Sequence, residues 1–326
     1  MGQSEQLIEV WRGDFLESRH RGHAVVVNAG GDVVAAWGDP EAVILPRSAC
    51  KMIQALPLVE SGAADAAGLS TRHLALACAS HEGAWVHTDL VQDWLAGLGL
   101  SDDDLRCGAW RPHDTAAKID LIKTDSSPCQ YHNECSGKHT GFLTLNKHLG
   151  GGAEYVEIDH PVQRACLEAI ERMTGVVSPA HGIDGCAAPN FATTVTGLAR
   201  AMAGYAAASD LSAAGRLRDA MRAHPELVGG EGKASTELSR ALGGSAAIKS
   251  GAEGVFVAML PEKGLGIALK MEDGAERASD AAITALLAQF GGLEAEHSAA
   301  LRYLGGEMLN RRGQPVWTMK AAPGFG

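Results

Sequence analysis

Two stretches of β-branched and small apolar residues stand near opposite ends of this chain, and the helical patterning lies between them. Residues 24–37 carry two such runs around Asn28-Ala29-Gly30-Gly31-Asp32, a cluster of turn formers, so the spacing predicts a hairpin. Far downstream, Val255–Leu260 and Leu265–Lys270 flank Pro261-Glu262-Lys263-Gly264 and predict a second hairpin. A lone hairpin leaves its edges and its apolar face uncovered. The economical solution is one antiparallel sheet made from both ends, with the intervening helices packed on it. The expected fold class is therefore α+β, in a single catalytic unit spanning 1–326. A helical subregion of about 48–245 is inserted between N-terminal strands at 22–46 and C-terminal strands and a helix at 246–326.

Apolar residues recur at spacings of three and four in 71–79, 84–99, 138–149, 160–173, 190–205 and 211–224, which predicts helices there. A helical pattern begins at Ser48 and is broken or kinked at Pro57. Ala-rich Glu276 to Phe290 reads as a helix that packs on the sheet. Residues 101–135 are the least regular stretch and read as a long functional loop or a set of short pieces.

Composition removes several function classes. The net charge is −11, from 28 basic and 39 acidic residues, and such a surface repels nucleic-acid phosphate and anionic membranes. No apolar run is long enough for a membrane span. Met1 to Arg12 lack the basic and apolar regions of a secretion signal, so a cytoplasmic location is expected. The seven cysteines are an odd number, which argues against a disulfide framework and leaves core, ligand or reactive thiols.

The chemistry-bearing segment is Arg47-Ser48-Ala49-Cys50-Lys51, a Ser-x-x-Lys at a predicted helix start. A spacing of three puts hydroxyl and amine on one helical face. A serine becomes a nucleophile when a base takes its proton, and lysine serves as that base once burial or a nearby cation lowers its pKa. The plain alternative is Ser48 as a helix cap and Lys51 as a solvated side chain. Two further segments bear on the choice. Ala79-Ser80-His81-Glu82-Gly83 closes a predicted helix, and Lys249-Ser250-Gly251 ends a predicted strand. Serine β-lactamases and penicillin-binding proteins combine Ser-x-x-Lys, a second serine loop and Lys-[Ser/Thr]-Gly on a strand, in this chain order.

With these blocks, Glu134-Cys135-Ser136-Gly137-Lys138-His139 and Asp184-Gly185-Cys186-Ala187-Ala188-Pro189 complete a pattern that resembles the rhizobial-type L-asparaginase II family over nearly the whole chain. The resemblance implies a β-lactamase-like fold and hydrolysis of L-asparagine to L-aspartate and ammonia. It implies two Ser–Lys pairs, Ser48 with Lys51 and Ser80 with Lys249; Lys263 is the alternative to Lys249. It also implies one zinc per chain on Cys135, Lys138 and Cys186, where two thiolates suit the metal and the lysine must first lose its proton.

Asparagine is a zwitterion, so its carboxylate needs a cation and its amine an anion. Arg47 and Asp184 are the candidates for these contacts, with a plain ion pair and a turn residue as the alternatives. His81, Glu82, Glu134 and His139 are candidate pocket residues. The expected partners are L-asparagine and a second copy of the chain in a homodimer. Competing readings are glutaminase, β-lactamase or esterase activity on the same fold, or a non-catalytic zinc-binding protein.

Overall fold

The computed structural model describes residues 2–326. In chain order the strands are β1 (Glu5–Arg12), β2 (Phe15–Asn28), β3 (Val33–Trp37), β4 (Val43–Ile44), β5 (His181–Ile183), β6 (Pro189–Phe191), β7 (Thr193–Thr194), β8 (Ala247–Gly251), β9 (Val255–Leu260), β10 (Leu265–Met271), β11 (Glu307–Leu309) and β12 (Pro315–Ala321). The main sheet has eight strands in the order β11-β12-β1-β2-β10-β9-β8, with β3 beside β2, and its pairings are antiparallel. Strands from both ends of the chain thus meet at β2 and β10, in the register Val26↔Ile267.

Alternation along β2 divides the core. Val25 and Val27 face the inserted helical block, while Ala24 and Val26 face the helix Glu276–Leu286. Because both faces are covered, the central strands read as continuous apolar runs instead of polar–apolar alternation. Gly266 on β10 shows how closely the block sits. A Cβ there would lie 2.4 Å from the carbonyl oxygen of Ala199, so the small-residue helix Val195–Ala207 rests on bare strand backbone.

Both predicted hairpins form, as β2–β3 and β9–β10. The sheet extends further than the alternation suggested: β1, the first half of β2, β11 and β12 carry mixed polar patterns because they lie toward the sheet margin. Helices occupy Thr71–Ala77, Trp85–Leu98, Ser136–Leu149, Pro161–Thr174, Val195–Ala207 and Ala213–Ala223. The 190–205 segment begins as strand because β6 and β7 take its first residues. Pro57 splits the early helix into Lys51–Gln54 and Leu56–Glu60. Residues 101–135 resolve into short pieces, of which Thr115–Lys123 is the longest. No helix among the described residues is long and apolar enough to cross a membrane.

Candidate active site

Ser48 sits in a tight 3-10 turn, Arg47–Cys50, that follows Pro46 and leads into the helix Lys51–Gln54. The Ala49 N–H donates to the Pro46 carbonyl at 3.1 Å and closes the turn. Half-buried Ser48 lines two neighbouring cavities, one of about 300 Å³ that also contains Ser80 and one of about 90 Å³ that contains Cys135 and Cys186.

Ser80 is brought up by the end of the helix Thr71–Ala77 and pinned by its own N–H, which donates to the Val228 carbonyl at 2.9 Å. Its hydroxyl lies between two amines, with Lys51 Nζ at 2.9 Å and Lys249 Nζ at 2.8 Å. Both lysines are only 1% exposed. Lys51 also donates to the Ala79 carbonyl at 2.5 Å, and Lys249, from the end of β8, to the Ser250 carbonyl at 2.6 Å. Burial first, and the neighbouring Lys51 second, push the Lys249 amine down to about 7. A neutral amine is then present near physiological pH, able to take a proton from a hydroxyl.

This differs from the expected pairing in one respect. None of the hydrogen bonds among the described residues joins Lys51 to Ser48; the Lys51 side chain reaches Ser80 instead. The reason is local. The turn carrying Ser48 is 3-10, so Lys51 starts a new helical segment and extends toward carbonyls presented by Ala79 and Glu134. Lys263 lies exposed on the β9–β10 turn, while Lys249 is in the site.

Arg47 and Asp184 are held by each other. Arg47 Nε and Nη2 donate to Asp184 Oδ1 at 3.0 and 2.8 Å, and the Gly185 N–H donates to the same oxygen at 2.9 Å. Both plain alternatives, ion pair and turn residue, therefore describe what these two side chains do. His81 lines the larger cavity but is nearly fully buried. Its Nδ1 accepts from the Gly83 N–H at 3.1 Å, so Nε2 carries the proton toward Ser136 Oγ at 2.8 Å. Burial, and then His87, keep this ring neutral. Glu82 lines the same cavity, 3.6 Å from Lys233. Glu134 lines both cavities, and its carbonyl accepts from the His81 N–H at 3.2 Å. His139, in contrast, is fully buried on the first turn of the helix Ser136–Leu149 and lines neither cavity. Lys233 and Asn190 also belong to the neighbourhood. Neither Lys233 nor Asn190 carries a local sequence signal; Asn190 only follows the Asp184–Pro189 block.

The second cluster joins segments far apart in sequence. Cys135 precedes the helix that carries Lys138, and Cys186 sits in the β5–β6 turn, with Lys138 Nζ 3.1 Å from Cys186 Sγ. A hydrogen bond from Cys135, with further help from Lys138 and His139, holds Cys186 well below the usual thiol range despite burial. The same hydrogen bond, and then burial, push Cys135 up. Burial alone would depress Lys138, yet the flanking Cys186 and Cys135 outweigh it and raise this amine. Among the described residues no three His, Cys, Asp or Glu side chains gather as a metal site. The residues that the resemblance assigns to zinc offer two thiols and an amine, and buried His139 sits beside Cys186. The two thiols suit a thiophilic divalent metal, and Lys138 can join them only after losing the proton that its cysteine neighbours hold on it.

A profile of the L-asparaginase II family matches residues 8–321. The chain belongs to the L-asparaginase II family. Membership makes it an asparaginase-type amidohydrolase. No curated protein matches it. Solved structures similar to this asparaginase-family chain include a β-lactamase from Mycobacterium bovis, at 15% identity and a TM-score of 0.46, covering 82% of this chain and 94% of that one. A putative β-lactamase from Bacteroides dorei matches at 13% identity and a TM-score of 0.46, covering 83% and 93%. Mglu in its native form matches at 14% identity and a TM-score of 0.46, covering 91% and 70%.

Proposed function

We propose that this family member hydrolyses the side-chain amide of L-asparagine through a serine acyl-enzyme. Ser48 attacks the amide carbon, and Ser80, with Lys51 and Lys249, carries the proton from Ser48 to the leaving nitrogen. The observation behind this is the Ser80 hydroxyl held between two buried lysines on the wall of the cavity that also contains Ser48. Neutral Lys249 accepts the proton that Ser80 gives up as Ser80 takes one from Ser48. Collapse of the tetrahedral intermediate expels ammonia, which receives that proton. Water then attacks the ester by the same relay and releases aspartate.

A zinc ion on Cys135, Lys138 and Cys186 would supply a Lewis-acidic contact for a substrate oxygen beside Ser48. Lys138 donates to Cys186 Sγ at 3.1 Å, and Cys186 and Cys135 line the smaller cavity.

A second reading has its own observation, because the lysine contacts reach Ser80 and not Ser48. In that reading Ser80 is acylated. Rapid quenching of asparagine turnover followed by peptide mass analysis identifies the acylated serine. An adduct of aspartyl mass on the Ser48 peptide supports the proposal, and one on the Ser80 peptide replaces it. Ammonia release from asparagine, glutamine and a simple ester separates the asparaginase reading from glutaminase and esterase. Absence of release from all of them leaves a binding protein.

A further inference from the structure

Arg47, the residue immediately before Ser48, is one of four non-glycine residues with positive φ among those described, at +51°. Side chains rarely adopt this left-handed backbone, and it persists where surrounding contacts enforce it. Here the contacts are explicit. The Arg47 N–H donates to Asn190 Oδ1 at 3.2 Å, and the guanidinium donates twice to Asp184 Oδ1. Asn190 Nδ2 in turn donates to Asp184 Oδ2 at 3.4 Å, so one amide bridges the Arg47 backbone to its side-chain partner. The β5–β6 hairpin makes this possible. Its register Ile183↔Pro189 and Gly182↔Asn190 sets Asp184 and Asn190 at the same end.

The Ser48 turn is also gripped by the β8–β9 hairpin. A Cβ at Gly251 would lie 2.8 Å from the Ala49 nitrogen and 2.9 Å from the Pro46 oxygen, a separation that only glycine tolerates. The turn is therefore fixed between two hairpins, and Arg47 is the residue whose backbone takes up the distortion.

We propose that Asp184 and Asn190 clamp Arg47 in its left-handed conformation so that Ser48 is presented to the cavity at a fixed angle. Arg47 and its two partners are then positioning residues, and Arg47 acts through the backbone and not by holding substrate carboxylate. This rests on the reading of Ser48 as the nucleophile. The paired charges support it: Arg47 and Asp184 already satisfy each other, with side chains 26% and 14% exposed.

Comparing Arg47→Ala with Arg47→Gly tests the clamp. Both lose the guanidinium, but glycine adopts the left-handed backbone freely. Arg47→Ala is expected to lower kcat at least about tenfold with KM within roughly twofold, the pattern of lost transition-state alignment. Arg47→Gly is expected to recover most of that loss, and single-turnover acylation of Ser48 to follow the same order, with equal zinc content in both variants. Equal rates for alanine and glycine, or an effect confined to KM, overturns the clamp and returns Arg47 to a substrate-binding role. Should Arg47→Ala fail to fold, Asn190→Ala serves in its place: a kcat loss at unchanged KM supports the proposal, and unchanged kcat overturns it. Ser48→Ala separates the two ideas. If it stays active, the nucleophile assignment fails; if it is inactive while glycine gives no rescue, only the clamp fails.

Discussion

Two buried lysines of the site have opposite character, one bonded to Ser80 and one to Cys186. Lys249, from the end of β8, is pushed down to about 7. Lys138, from the helix Ser136–Leu149, is raised. Burial acts on both in the same direction, disfavouring the ammonium. The neighbours decide the outcome. Lys249 faces a second amine, Lys51, whose field adds to burial, while the acids and thiols near it, Glu134, Cys135 and Cys78, are outweighed. Lys138 faces Cys186 first and Cys135 second, and Cys186, held toward its thiolate, leads in reversing the burial effect. One fold thus prepares a proton acceptor beside Ser80 and a fixed cation beside Cys186. The partner of a buried lysine tells more about its role than its depth does.

The contrast is broken most severely by removing the acceptor side. Ser48→Ala and Lys249→Met are each expected to lower kcat by about three orders of magnitude or more with the fold retained. Steady-state ammonia release and circular dichroism check this, and near-normal turnover in either variant removes that residue from the mechanism.

Removing the thiol side is expected to have a smaller effect on rate and a complete effect on metal. On the proposed zinc site, Cys135→Ala and Cys186→Ala should each abolish zinc binding, while kcat/KM falls about 10- to 100-fold. Metal analysis of purified wild type and variants decides the point. Equal zinc in all three, or none in wild type, leaves the pair as a cysteine–lysine ion pair only.

A pH profile sharpens the comparison. Catalysis needs neutral Lys249, so kcat/KM should rise through a single ionisation near pH 7. Lys51→Gln removes a positive neighbour, which favours the Lys249 ammonium and moves the rising limb of the residual activity to higher pH. A rising limb that stays in place excludes the Lys51–Lys249 coupling.

The smallest effect is on stability. The folded-state pKa of Lys249 lies below its ordinary value of 10.5, so between about 7 and 10.5 the unfolded chain binds the extra proton. Stability from this group therefore rises with pH across that window and is lowest below it. Lys249→Met removes the burial cost and is expected to raise Tm by a few degrees at neutral pH while abolishing activity. Differential scanning calorimetry of the two proteins at pH 7 and pH 10 shows whether the gap narrows as predicted.

Much of the architecture was legible because it follows from short-range rules. Turn formers between β-branched runs marked β2–β3 and β9–β10, and period-three and -four apolar spacing marked the long helices. The strands β1, β11 and β12 were not legible, since β11 and β12 are largely exposed or half-buried with charge mixed in, and the buried run of β1 is interrupted by Glu9. In the site, Ser48, Ser80, Lys51 and Lys249 stood out by motif. Lys233 and Asn190 did not, because their place beside Ser48 depends on contacts across many residues.

The sequence by itself determined that a sheet forms from both chain ends, that a helical block fills the middle, and which serines, lysines and cysteines are chemically available. These follow from local propensity, periodicity and motif spacing. Only the tertiary structure decided that Lys51 turns to Ser80, that Arg47 and Asp184 bind each other, and that His139 is buried against Tyr155. Each is a choice of partner among side chains distant in sequence. Such choices are set by which segments the sheet and helices bring within about 3 Å of one another, a distance at which hydrogen bonds form and which no local pattern encodes.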